Sequence, residues 1–139
     1  MPTDLHALLS ALNYALAGGD FDYILEHAAD DIRWEIVGVM VIEGKDALAQ
    51  AFEVFAHSET RGMELRSIFA SHDEGVVHGT MRVATASGEE RSYAFCDVYR
   101  FELADASTPL LQHLTSYIVM PQTGALTELL GEGTPPDEG

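Results

Sequence analysis

Leucines at positions 5, 8, 9, 12 and 16 recur at spacings of three and four, which places them on one face of a helix predicted over residues 3–17. Thr3 stands where an N-cap is needed, and Gly18-Gly19 end the helix because glycine takes the left-handed conformation without penalty. Asp20 then caps a second helix whose apolar stripe is Phe21, Ile24, Leu25 and Ala28. The stretch "DIRWEIVG" alternates instead, with Trp34 and Ile36 on one face and Arg33 and Glu35 on the other, and predicts a strand. "IEGKDALAQAFEVFAHS" predicts a third helix opening after Gly44, with apolar positions spread broadly enough to imply burial.

From residue 63 onward the period is two. "MELRSIFASH", "GVVHGTMRVATA", "ERSYAFCDVYRFEL" and "LLQHLTSYIVM" predict four strands, separated by Asp73-Glu74-Gly75, Ser87-Gly88 and "ADASTP". Helices first and a meander of strands afterwards is an α+β pattern, three N-terminal helices packed on one face of an antiparallel sheet. In the third of these strands Tyr93, Phe95, Asp97, Tyr99 and Phe101 share one face, and Ala94, Cys96 and Val98 share the other. The last strand is apolar on both sides as well: Leu114, Ile118 and Met120 against Leu111, Tyr117 and Val119. A sheet that is apolar on the face its helices leave open calls for a second subunit, so a homodimer through the sheet is expected. Residues 1–122 make one domain, and the acidic, Gly- and Pro-containing tail 123–139 is expected to be largely disordered.

Composition narrows the function. Seven Lys and Arg against 23 Asp and Glu give a formal net charge of −16. A field of that sign repels phosphate backbones and anionic lipid, so neither nucleic acid nor membrane is an expected partner. No apolar run approaches the length of a spanning helix, and the N-terminus reads as an amphipathic helix rather than a leader, which makes a cytoplasmic protein the expectation. A single cysteine rules out an internal disulfide. The six histidines show neither H-x-H nor H-E-x-x-H spacing, and no glycine-rich phosphate loop follows a strand, so no metal and no cofactor are expected.

"ALNYALAGGDFDYILEHAADDIRWEIVG", "IEGKDALAQAF", "GEERSYAFCDVYRFEL" and "LTSYIVM" together resemble the NTF2-like superfamily, and within it the SnoaL-like bacterial members. The resemblance spans residues 5–120 and rests on element order and scattered positions. It implies a cone-shaped α+β barrel whose curved sheet wraps a long helix around a deep pocket. The superfamily includes isomerases, cyclases, dehydratases, epoxide hydrolases and non-catalytic transport factors, so the fold alone does not give the reaction. Set against the ketosteroid isomerases, the general-base aspartate falls on Ile36, the helical oxyanion tyrosine on Leu12 and the oxyanion aspartate on Asp97. Two of three catalytic groups are missing, and without a base at that position steroid isomerisation by that route has no proton acceptor. Arg100 lies near Asp97 in sequence but on the opposite face, so the aspartate–arginine–aspartate arrangement of the epoxide hydrolases is absent too.

Asp97 is the candidate catalytic residue. The expected pocket wall is Leu12, Trp34, Ile36, Phe52, Phe55, Met81, Phe95, Tyr99, Leu114, Ser116 and Ile118, an apolar and aromatic surface with few polar groups. A carboxylate among such walls is costly to ionise, so its pKa is expected to rise. Neutral, it donates a hydrogen bond to a carbonyl or enolate; ionised, it is a base. Two readings stay open at this level. One is a cofactor-independent isomerase, cyclase or dehydratase acting on a carbonyl-bearing apolar substrate. The other is a non-catalytic member that binds a hydrophobic ligand or a partner protein, with Asp97 serving the fold.

Overall fold

The computed structural model describes residues 4–103 and 109–120. Helix α1, Leu5–Gly18, is capped by Asp4, whose side chain accepts from the Ala7 amide at 3.3 Å, and is closed by Gly19 at φ 80°. Asp4 rather than Thr3 is the cap, because a carboxylate one residue nearer the first turn reaches the same orphan amides. Helix α2, Phe21–Glu26, is capped by Asp20 as its sequence predicts. Strand β1, Ala28–Ile36, leads through a turn to β2, Met40–Glu43, and then to helix α3, Lys45–Phe55. Strands β3 (Glu59–Ser71), β4 (Glu74–Ala84), β5 (Glu90–Glu102) and β6 (Leu110–Val119) complete the described chain. Among the described residues no helix is long and apolar enough to cross a membrane.

The six strands form one curved, unclosed sheet in the order β2-β1-β6-β5-β4-β3. Every neighbouring pair is antiparallel except β1 and β6, which run parallel. The helices lie against one face, and that concave side holds the core: Leu8, Leu9, Leu12, Ile24, Ile32, Leu48, Phe52, Val77, Tyr99, Phe101, Leu111 and Leu114 are all buried. Helix α1 packs so closely on β4 that a Cβ at Gly75 would collide with the buried Leu9 side chain. Glycine at 75 is therefore a packing requirement.

Two features depart from simple alternation. Strand β2 has the single buried residue Ile42 between exposed neighbours, so its four residues carry no readable period. Between Arg100 and Phe101 the β5–β6 register slips, Arg100 pairing with His113 and Phe101 with Leu111. That irregularity turns Leu111 onto the core side with Leu114, correcting the outward placement that strict alternation gives it.

Candidate functional site

Between the concave sheet, the C-terminal turn of α1 and the end of α3 lies a cavity of about 640 Å³. Its wall is apolar and aromatic over most of its extent: Leu16, Phe21, Trp34, Ile36, Phe55, Met63, Met81, Val83, Phe95 and Ile118. Among the described residues Asp97 and Glu59 are its charged ones, and no Lys, Arg or His lines it.

Asp97 reaches this wall by the parity of β5, where inward residues alternate with outward ones along an unbroken ladder with β4. It faces Ser116 directly across the β5–β6 pair, and Ser116 in turn faces Ile36 across the β6–β1 pair. Trp34, two residues before Ile36, donates its indole N–H to the Ser116 hydroxyl at 2.9 Å. With the oxygen occupied as an acceptor, the serine hydrogen is free to turn toward Asp97. From the other side comes Asn13 of α1. Its Nδ2 donates to Asp97 Oδ2 at 3.2 Å and to the Tyr99 hydroxyl at 2.6 Å. Asn13, Asp97, Tyr99 and Ser116 are all buried, so these contacts replace water rather than supplement it.

Burial pushes the Asp97 carboxyl up to about 6, while hydrogen bonding from Ser116 and Asn13 holds it back from rising further. Burial, with the Asp97 charge beside it, raises the Tyr99 phenol well above its ordinary range, so it is a neutral hydroxyl at any physiological pH. Cys96 points to the convex face; burial and then the neighbouring Asp97 charge raise its thiol, which leaves it a poor nucleophile. Arg100 is exposed and paired with Glu74 at 2.9 Å, away from the cavity.

Of the residues marked in the sequence, Trp34, Ile36, Phe55, Met81, Phe95, Asp97, Ser116 and Ile118 lie together on the cavity wall. Leu12, Phe52, Tyr99 and Leu114 do not line it. Leu12 and Tyr99 are fully buried in the core, Leu114 is buried there too beside its β1 partner Trp34, and Phe52 stacks on Phe21 with ring centres 4.3 Å apart. Alternation assigned them to the correct face of the sheet or helix but not to its open part. Asn13, the one polar side chain that α1 brings to Asp97, was missed. Its signal was an asparagine four residues after Leu9 and three before Leu16, inside the leucine stripe.

An α+β cone with its helices on one side of a curved sheet, and a cavity floored by a carboxylate, defines a class that the comparisons identify. Residues 9–106 match the SnoaL-like domain, and the chain belongs to that family of the NTF2-like superfamily. Among solved structures, an NTF2-like protein of unknown function from Cytophaga hutchinsonii is 22% identical, with TM-score 0.65 over 84% of this chain and 100% of that one. A ketosteroid isomerase-like protein from Erwinia carotovora atroseptica is 18% identical, with TM-score 0.67 over 83% of this chain and 93% of that one. An LEH-like epoxide hydrolase from M. tuberculosis is 19% identical, with TM-score 0.69 over 84% of each chain. Identities this low establish a shared fold and no shared reaction. No curated protein matches the chain.

Proposed function

We propose that the cavity is a small-molecule site and that the protein is a cofactor-independent isomerase, cyclase or dehydratase in which Asp97 exchanges a proton with an apolar substrate. The observation that carries this reading is a single ionisable group buried at the floor of an apolar cavity and steadied from two sides by Asn13 and Ser116. A carboxyl poised near 6 passes between base and acid close to neutral pH, which is what proton transfer to and from a carbon beside a carbonyl requires. The cavity volume suits a ligand of two or three fused rings, and the aromatic wall supplies affinity without dictating chemistry.

The functional unit in this reading is a homodimer through the convex face of the sheet. Phe69, Val76, Val98 and Thr115 form one cross-strand row there, and Ser67, His78, Cys96 and Tyr117 the next. Across β3 to β6 no Asp, Glu, Lys or Arg interrupts these rows, the first of which reaches Glu35 only at β1, although Phe69 is 65% and Tyr117 48% exposed in the single chain.

The test is incorporation of solvent deuterium into a panel of apolar ketones and enones, followed by NMR. Exchange with the wild-type protein that vanishes in Asp97→Asn supports the reading. Compounds that bind in the cavity without any exchange above the uncatalysed rate would refute proton transfer while leaving ligand binding intact.

A further inference from the structure

The polar groups of the cavity are divided unevenly between donors and acceptors. The Trp34 indole N–H is spent on Ser116, both recorded bonds of the Asn13 amide nitrogen go to Asp97 and Tyr99, and the Ser58 hydroxyl donates to the Phe55 carbonyl at 3.0 Å. The side-chain donors on the wall are therefore largely turned inward to the protein. Of the polar groups left for a ligand, the Thr60 hydroxyl can donate, whereas the Asp97 carboxylate and the Asn13 carbonyl oxygen only accept.

The electrostatics point the same way from an independent source. Ala17, Gly18 and Gly19, at the C-terminal end of the fourteen-residue α1, line the cavity, and this is the end of a helix where unsatisfied carbonyls gather negative potential. Glu59 stands among the lining residues; it is exposed and shares its charge with Arg61 at 3.4 Å. Among the described residues no cationic side chain lines the cavity to balance Asp97, and the chain as a whole carries a formal −16. A carboxylate, a helix C-terminus and a set of π faces from Trp34, Phe55 and Phe95 are each attractive to a positive charge and repulsive to a negative one.

We propose that the ligand of this cavity is an apolar amine, bound as its ammonium form with the charged nitrogen on Asp97 and the hydrocarbon frame against Trp34, Phe55 and Phe95. The inference rests on the reading of the cavity as a small-molecule site with Asp97 as its polar anchor. It adds what the anchor holds. At neutral pH a carboxyl poised near 6 is mostly ionised, so an ammonium meets it without a protonation cost. A carboxylate or phosphate meets like charge.

A matched series on one rigid frame separates the possibilities: 1-adamantylmethylamine, 1-adamantylmethanol and 1-adamantanecarboxylate, titrated against the full chain. Trp34 is the single tryptophan, so its fluorescence and its indole N–H resonance report binding inside the cavity. At pH 7.5 the amine is expected to bind about tenfold more tightly than the alcohol, and the carboxylate not to be detected. Amine affinity is expected to rise as the pH is raised through the Asp97 midpoint. In Asp97→Asn the advantage over the alcohol should fall to about threefold or less, with Trp34 still responding to both. An alcohol that binds as tightly as the amine, or an amine preference that survives in Asp97→Asn or disappears at raised salt, overturns the amine assignment and leaves the small-molecule reading standing. A Trp34 signal that moves with none of the three overturns both.

Discussion

The side-chain nitrogen of Asn13 stands 3.2 Å from Oδ2 of Asp97, a contact that bridges 84 positions of sequence and ties α1 to the centre of β5. The same nitrogen reaches the Tyr99 hydroxyl at 2.6 Å. One amide thus satisfies two buried groups on adjacent inward positions of a strand, and it opposes the effect of burial on the carboxyl.

Replacing Asn13 by leucine keeps the branching of the side chain and removes both bonds. Asp97 loses a group that favours its ionised form, so its midpoint should move up from about 6. The Tyr99 hydroxyl, fully buried, loses its recorded partner, which should cost about 2 kcal/mol of stability. Carbon-13 NMR of the Asp97 carboxyl and urea unfolding check the two effects separately. An unchanged Asp97 midpoint would mean that Asn13 braces Tyr99 alone.

Trp34→Phe should open the site without inverting it. The indole N–H to Ser116 is lost, and the freed serine oxygen acquires room to meet a ligand donor. The expected cost is about 1 kcal/mol for one hydrogen bond, plus a contribution from the space left beside Phe55, whose ring centre is 5.8 Å from that of Trp34. Denaturant unfolding measures the loss. Apolar probes one ring larger should bind better to the variant than to the wild type, and a uniform drop in affinity would contradict this account.

Gly79→Ala tests the sheet rather than the site. A Cβ there would collide with the Glu64 carbonyl oxygen on β3, beside the irregular pairing between Leu65 and Ser67. Backbone cannot yield as a side-chain end does, so β3 must shift, and a loss of about 3 kcal/mol or more is expected. The thermal midpoint and amide-exchange protection of β3 should both fall. A stability within about 0.5 kcal/mol of wild type would mean that the two strands are less closely apposed than described.

Tyr117→Glu puts a charge on the convex face, opposite Cys96. If a second subunit covers that face, sedimentation velocity should show a dimer for the wild type and a monomer for the variant, because an unpaired buried carboxylate is costly. Equal masses for the two proteins would remove the sheet face from consideration as the subunit contact.

The sequence made Asp97 conspicuous because period two is rigid: a carboxylate between Phe95 and Tyr99 on one parity faces inward whatever else is true. It made Asn13 inconspicuous because a helix face is an arc, and a polar residue among leucines reads as the edge of that arc. The resemblance to ketosteroid isomerases drew the eye to Leu12, which is one position and about 100° of rotation away from the side chain that meets Asp97. Depth was also illegible. Leu12, Phe52, Tyr99 and Leu114 share faces with the cavity wall, and only the placement of helices over part of the sheet separates packed core from open cavity. The β1–β6 parallel pairing and the slip at Arg100 are contacts between distant segments, which no local period records.

The pH dependence of stability follows from the sign of the Asp97 shift. Its carboxyl holds its proton more tightly in the folded protein, near 6, than at its ordinary value of 3.8. Between those values the folded state binds more protons than the unfolded one, so folding stability falls as pH rises across that window and levels off above it. The full span amounts to about 3 kcal/mol, a cost the fold carries at neutral pH for keeping an ionised group in an apolar cavity. Asp97→Asn has no such titration and can still accept from Asn13 through its carbonyl oxygen. Relative to the wild type, the variant should therefore gain stability as the pH is raised from 4 to 7, approaching that span, and show little difference at or below pH 4. Urea unfolding of both proteins at matched pH values measures the difference directly, since groups elsewhere titrate equally in the two and cancel. A difference that stayed flat across the window would mean that Asp97 titrates as a solvated carboxylate, and the proposed proton transfer would lose the property that singles this residue out.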